Sequence, residues 1–200
     1  QYTGADSDGD AGRIAGQTLG FVTVVAAVIA VVGVLATDAM LSALPTDPET
    51  ARDIVPLAAD YMRVFFLGMP ALFGFFVFVS LLRGYGNTRT PMRVMAVSVA
   101  VNVVIDPLLI FGAGPIPAMG IEGAAVATVI SRTIATVLGL YVLFRTSAGP
   151  TVLVADLRPR LESVKKIVDL GVPAALEQST NAWAMIAMTA MVATFSPAVV

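Results

Sequence analysis

The chain carries no charged residue between Arg13 and Asp38. The apolar run over residues 14–36 is the first of five such stretches. The others cover residues 59–82 (uncharged from Val64), 92–111, 121–144 and a last one opening near Leu170, which is uncharged from Gln178 onward. At about 1.5 Å of rise per residue, some 20 apolar residues cross a hydrocarbon core of roughly 30 Å. None of the five alternates apolar and polar residues as the strands of a membrane barrel would. The pattern therefore predicts an all-α, polytopic membrane protein with five helical spans. The intervening loops differ in kind: residues 44–53 are acidic, 112–120 neutral and turn-rich, and 83–93 and 145–166 basic.

Composition agrees with that reading. Of the 200 residues, 57% are hydrophobic and 13% charged, and the mean hydropathy is +0.86; a soluble domain is about one quarter charged. There is no Cys and no His, which removes thiolate metal sites and the usual near-neutral proton carrier. Cation chemistry in this chain falls to carboxylates, amides, hydroxyls and carbonyls. A net charge of −2 without a basic stripe gives no support to a nucleic-acid partner, and no nucleophile–base pair suggests an enzyme. With five spans, the loops alternate sides. Arg13, Arg83, Arg89, Arg93, Arg145, Arg158, Arg160, Lys165 and Lys166 collect on one side, against Arg52 and Arg63 on the other. The positive-inside rule makes the first side cytoplasmic, which predicts a multi-pass protein of the cell membrane. The chain starts without Met and ends within an apolar run, so it reads as a piece of a longer protein.

The polar residues inside the spans carry the functional signal. In "NVVIDPLLIF" (102–111), Asp106 lies roughly 9 Å short of the outer end of its helix, and Asn102 is one turn earlier on the same face. Pro107 has no N–H and frees the carbonyl of Val103. A carboxylate, an amide and a free carbonyl within one turn are hard oxygen ligands suited to a proton, or to Na⁺ with further ligands. The competing reading has Asp106 as the N-cap and Pro107 as the first residue of a short helix at the membrane rim. Arg132 falls near the centre of the fourth span, where it either leans toward Asp106 or ties to carbonyls of a neighbouring helix. Thr128 shares its face one turn outward, and such a residue often bonds only its own backbone. Tyr61 reads either as a site residue or as part of an interfacial aromatic belt. Glu177, Gln178 and Asn181 form a second polar group near the inner end of the fifth span, either a second site or a wet helix entrance. Met185, Met188 and Met191 fit a packing seam.

The stretches "YMRVFFLGMP", "RGYGNTRTPM", "NVVIDPLLIFGAGPIPAMGIEGAAVATVISR" and "LGVPAALEQ" resemble, in order and spacing, the MATE family of multidrug and toxic-compound extrusion transporters, and most of all its DinF-like and archaeal branch. The resemblance implies helices three to seven of a twelve-helix, two-lobed transporter. Residues 1–144 would belong to the N-terminal lobe, 145–168 to a cytoplasmic linker and 169–200 to the start of the C-terminal lobe, and the remaining helices would be partners of this chain. It further implies H⁺- or Na⁺-coupled export of amphipathic compounds by alternating access, without another cofactor. Asp106 and Asn102 match the fifth-helix members of the family's N-lobe cation site, Tyr61 the fourth-helix tyrosine and Thr128 a sixth-helix member. Two alternatives remain open: a flippase for lipid-linked sugars of the same superfamily, and a non-transporting membrane scaffold.

Overall fold

The structure, a computed structural model, describes residues 8–43, 48–150, 152–158 and 161–193. Six α-helices account for nearly all of them: α1 (Asp8–Ser42), α2 (Pro48–Leu67), α3 (Met69–Gly84), α4 (Arg89–Phe111), α5 (Gly120–Arg145) and α6 (Leu161–Ala193). A short 3₁₀ turn, Val154–Leu157, lies between α5 and α6. The chain divides into two compact units, residues 1–159 with α1 to α5 and residues 160–200 with α6.

The first, third and fourth expected spans correspond to α1, α4 and α5, each long and apolar enough to cross a membrane. The second is not one straight helix. It breaks at Gly68 into α2 and α3, which meet at a bend of 46°. The cause is local: Pro70 lacks the N–H that would continue the ladder to Phe66, and Gly68 closes α2 with both the Val64 and Phe65 carbonyls at 3.1 Å. Residues 48–53, expected in an acidic loop, form the first turns of α2. Pro48 stands at its first position, where a missing N–H costs nothing.

The fifth expected span also differs. α6 begins at Leu161, nine residues early, because "LESVKKIVDL" is helical and runs on without a break. Among the described residues α6 does not reach the apolarity of a crossing helix, since Glu177, Gln178 and Asn181 dilute its apolar half. The described residues thus contain three crossing helices, or four with the bent pair α2–α3 taken as one.

Within the first unit α3 packs against α1, α4 and α5. The dry core gathers toward the Arg-rich end of the bundle, from Ala15 and Leu19 of α1, Phe75, Phe78 and Leu82 of α3, Val94 of α4, and Ala135 and Leu143 of α5. Val152 extends it into the segment after α5. That segment is held on α1 by a close approach: a Cβ on Gly20 would collide with the Leu157 carbonyl oxygen. At the same end the Asn87 amide donates to the Ala148 carbonyl at 2.9 Å, joining two basic loops. At the opposite end Arg63 pairs with Asp38 of α1 at 2.6 Å and with Asp60 at 3.5 Å. These groups are well exposed, so the pairing contributes at most about 1 kcal/mol.

Large apolar side chains such as Leu35, Val103, Val104 and Phe111 are exposed. In hydrocarbon such a surface carries no penalty, whereas every backbone polar group must find a partner within the chain. The tight turn after α4 meets that demand. Ala113 and Ile116 exchange both backbone hydrogen bonds at 3.1 Å, and the Met119 N–H donates to the Leu109 carbonyl at 2.9 Å.

Candidate functional site

α4 runs unbroken from Arg89 to Phe111 with Pro107 inside it. Asp106 is therefore a helix-interior carboxylate and not the cap of a rim helix, which removes the competing reading of the Asp-Pro pair. The run of apolar residues before and after it, rather than local cap chemistry, sets the backbone here. Asn102 lies one turn earlier, and its Nδ2 donates to Asp106 Oδ1 at 3.4 Å. Both side chains are half-buried. Because Pro107 offers no N–H, the Val103 carbonyl between them loses its usual intrahelical donor.

α5 lies against this face of α4. The two helices run antiparallel from a compact turn, so depth can be counted along each. Asn102 lies nine residues before the end of α4 and Thr128 eight residues after the start of α5, both at roughly 12–14 Å. Ser98 and Arg132 sit one turn deeper, at roughly 18–20 Å. The close contact is made by small residues. The buried Ser98 hydroxyl donates to the Ser131 carbonyl across the interface at 2.9 Å, and Ser131 donates to Ala127 at 2.8 Å. Between the helices a cavity of about 40 Å³ is lined by Ser98, Val99, Asn102, Thr128, Ser131 and Arg132. Asn102 thus faces Asp106 on one side and this cavity on the other.

Arg132 does not pair with Asp106. Among the described residues its guanidinium has no carboxylate within 4.0 Å and no carbonyl hydrogen bond; it stands over the Phe75 ring of α3 at 5.7 Å. The reason is register: Arg132 is level with Ser98, two turns deeper than Asp106. Tyr61 is half-buried on α2 and stacks on Phe65 of its own helix, with centroids 6.1 Å apart. Among the described residues α2 packs on α1, α3 and α5 and makes no contact with α4, so Tyr61 and Asp106 lie on helices that are not direct neighbours. In the second unit Glu177 is exposed on α6, and the side chains of Gln178 and Asn181 lie outside the described residues. Met185 and Met188 are exposed there too.

The arrangement is a polar ladder, Ser98–Asn102–Asp106, at four-residue spacing on α4, faced by Thr128 and Arg132 on α5. Ser98, Ser131 and Phe75 were not singled out from the sequence. The four-residue step from Ser98 to Asn102 was the available signal. Phe75 had none, because its role depends on how α3 packs. Among the described residues no three His, Cys, Asp or Glu side chains cluster, so Asp106 is a single carboxylate supported by neutral oxygens. That set can hold a proton, or a weakly bound monovalent cation once further oxygens join it.

The MatE family model matches residues 1–108. The probable multidrug resistance protein YoeA of Bacillus subtilis is 36% identical over 180 residues, which cover 88% of this chain and 38% of that protein. A multidrug resistance MATE transporter of the MOP superfamily superimposes in both its inward-facing conformation (TM-score 0.74, 27% identity, 87% of this chain and 38% of that one) and its outward-facing conformation (TM-score 0.77, 27% identity, 91% and 39%). The chain therefore spans well under half the length of the proteins it matches. A helical bundle with helices long and apolar enough to cross a membrane, a family match over more than half of its residues and this similarity in sequence together establish that the chain belongs to the MatE family of multi-pass membrane transporters.

Proposed function

We propose that this chain is part of a cation-coupled antiporter that exports amphipathic, drug-like compounds across the cell membrane by alternating access. The observation that carries the reading is Asp106, held half-buried in the interior of an apolar helix beside Asn102 and the Pro107-freed Val103 carbonyl. A carboxylate at that depth costs several kcal/mol unless it faces protein or water, and so is retained where it handles ions. The coupling ion, H⁺ or Na⁺, would bind Asp106 in one state of the transporter and the drug would bind the other. Each ligand then displaces the other through the shared conformational equilibrium. Residues 1–144 would form part of the N-terminal lobe, 145–168 the linker and 169–200 the start of the second lobe. Tyr61 would join the site from across the lobe's interior and Thr128 from the facing wall of α5.

Relatives named for multidrug resistance favour this reading over a flippase for lipid-linked sugars. The polar ladder, with its cavity, favours it over a scaffold, whose polar groups would be sealed in dry contacts.

The test is dye transport by the reconstituted transporter carrying this chain, under imposed H⁺ or Na⁺ gradients. The expected result is accumulation of an amphipathic dye against its gradient, driven by one of the two ions and stopped by collapsing that gradient. Dye movement indifferent to both gradients contradicts coupling. Movement of a lipid-linked sugar without dye transport moves the assignment to the flippase.

A further inference from the structure

Among the described residues Arg132 is the one charged side chain lining the cavity between α4 and α5, and the export reading gives it no task. Its guanidinium carries five N–H donors. Among the described residues its one directed partner is the Phe75 ring, which offsets part of the cost of the charge but accepts no hydrogen bond of the usual kind. The two lining serines supply no further donors. Ser98 has committed its proton to the Ser131 carbonyl and Ser131 its proton to Ala127, while one of the two Asn102 amide N–H groups goes to Asp106. The guanidinium, the Thr128 hydroxyl and the second Asn102 N–H are therefore the side-chain donors, among the described residues, facing a space of about 40 Å³. Whatever completes it must accept hydrogen bonds and must be small.

We propose that Arg132 and this cavity form a subsite for the carboxylate group of an anionic or zwitterionic substrate. A planar guanidinium fork fits a carboxylate through two parallel hydrogen bonds. The space holds one such group and not a whole drug, so the remainder of the ligand extends away from it. The polarity of the ladder fixes the ligand's direction. Asp106 is two turns nearer the opposite end, roughly 12 Å along α4 from Ser98, and repels an anion. The acidic end of the substrate sits by Arg132 and any cationic part lies toward Asp106. This inference rests on the export reading and adds a substrate class to it.

The test compares a fluorescent amphipathic dye bearing a free carboxylate with its methyl ester, measuring binding to the reconstituted transporter carrying this chain. The wild type is expected to bind the acid about tenfold or more tighter than the ester. In Arg132→Gln the two affinities should converge to within about twofold. Arg132→Lys, which keeps the charge but loses the fork, should fall between them. Equal affinities in the wild type, or a preference that survives Arg132→Gln, overturn the proposal. The comparison is a ratio within each protein, so the amount that folds does not affect it. The wild-type ratio and Arg132→Lys decide the matter if Arg132→Gln fails to fold. Gradient-driven flux of an uncharged amphipathic dye through the wild type reports on the export reading separately. If that flux persists while acid and ester bind alike, only the subsite is wrong.

Discussion

Asp106→Asn in the transporter carrying this chain is expected to abolish gradient-driven export, lowering flux by about 100-fold or more, as loss of a group acting only through its charge would. The side chain keeps its shape, α4 remains continuous around it, and an amide can still meet the Asn102 side chain one turn away. What disappears is the negative charge, and with it the exchangeable cation. Because the carboxylate is only half-buried and makes no ion pair among the described residues, its removal leaves no stranded partner charge. Expression and melting temperature should stay near those of the wild type, within about 1 kcal/mol of stability. Flux measured in vesicles at matched protein content checks the prediction. Near-normal flux from the variant would mean that the coupling ion binds elsewhere.

The second large effect is structural and acts on the same face. Gly123 lies in the first turn of α5, where a Cβ would stand 2.6 Å from the Leu109 carbonyl oxygen and 2.7 Å from its carbonyl carbon. These are backbone atoms of α4 and cannot rotate away. Gly123→Leu is expected to pry the two helices apart one turn from Asp106, destabilising the fold by about 1–3 kcal/mol or more. Gly123→Ala should show a smaller loss of the same sign. Gly84 serves as the control, since a Cβ there meets nothing within 4 Å. Melting temperatures of the three purified variants decide the matter. Gly123→Leu melting with the wild type would show that α4 and α5 do not approach as described.

Periodicity and charge revealed most of the fold because the bilayer simplifies the problem. A backbone that must satisfy itself forms helices wherever apolar residues persist, and α1, α4 and α5 fall where the apolar runs lie. Two features were less legible. The break at Gly68 depends on Pro70 within a run whose apolarity does not change, so hydropathy alone passes over it. The early start of α6 has the opposite cause: "LESVKKIVDL" is charged enough to read as a loop, yet it is helical and continuous with the apolar residues beyond Leu170.

In the candidate site, the spacing of Asn102 and Asp106 predicted one shared face, and their side chains do meet. Whether the Asp-Pro pair starts a helix or lies within one could not be decided from local chemistry, which suits both. The position of Arg132 also escaped the sequence, because it depends on the register of two antiparallel helices. That register is set by a turn whose closing hydrogen bonds run between Ala113 and Ile116 and from Met119 back to Leu109.

In the proposed cycle Asp106 exchanges a coupling cation in competition, through conformation, with a transported drug. The most direct test of that exchange is the affinity of the reconstituted wild-type transporter for an amphipathic dye, measured from acid to alkaline pH and with or without Na⁺. Reciprocal linkage predicts that raising one of these cations weakens dye binding by about five- to 150-fold, and that Asp106→Asn removes the dependence. A wild-type affinity unchanged by either ion, or a dependence that survives in Asp106→Asn, would rule out cation exchange at Asp106.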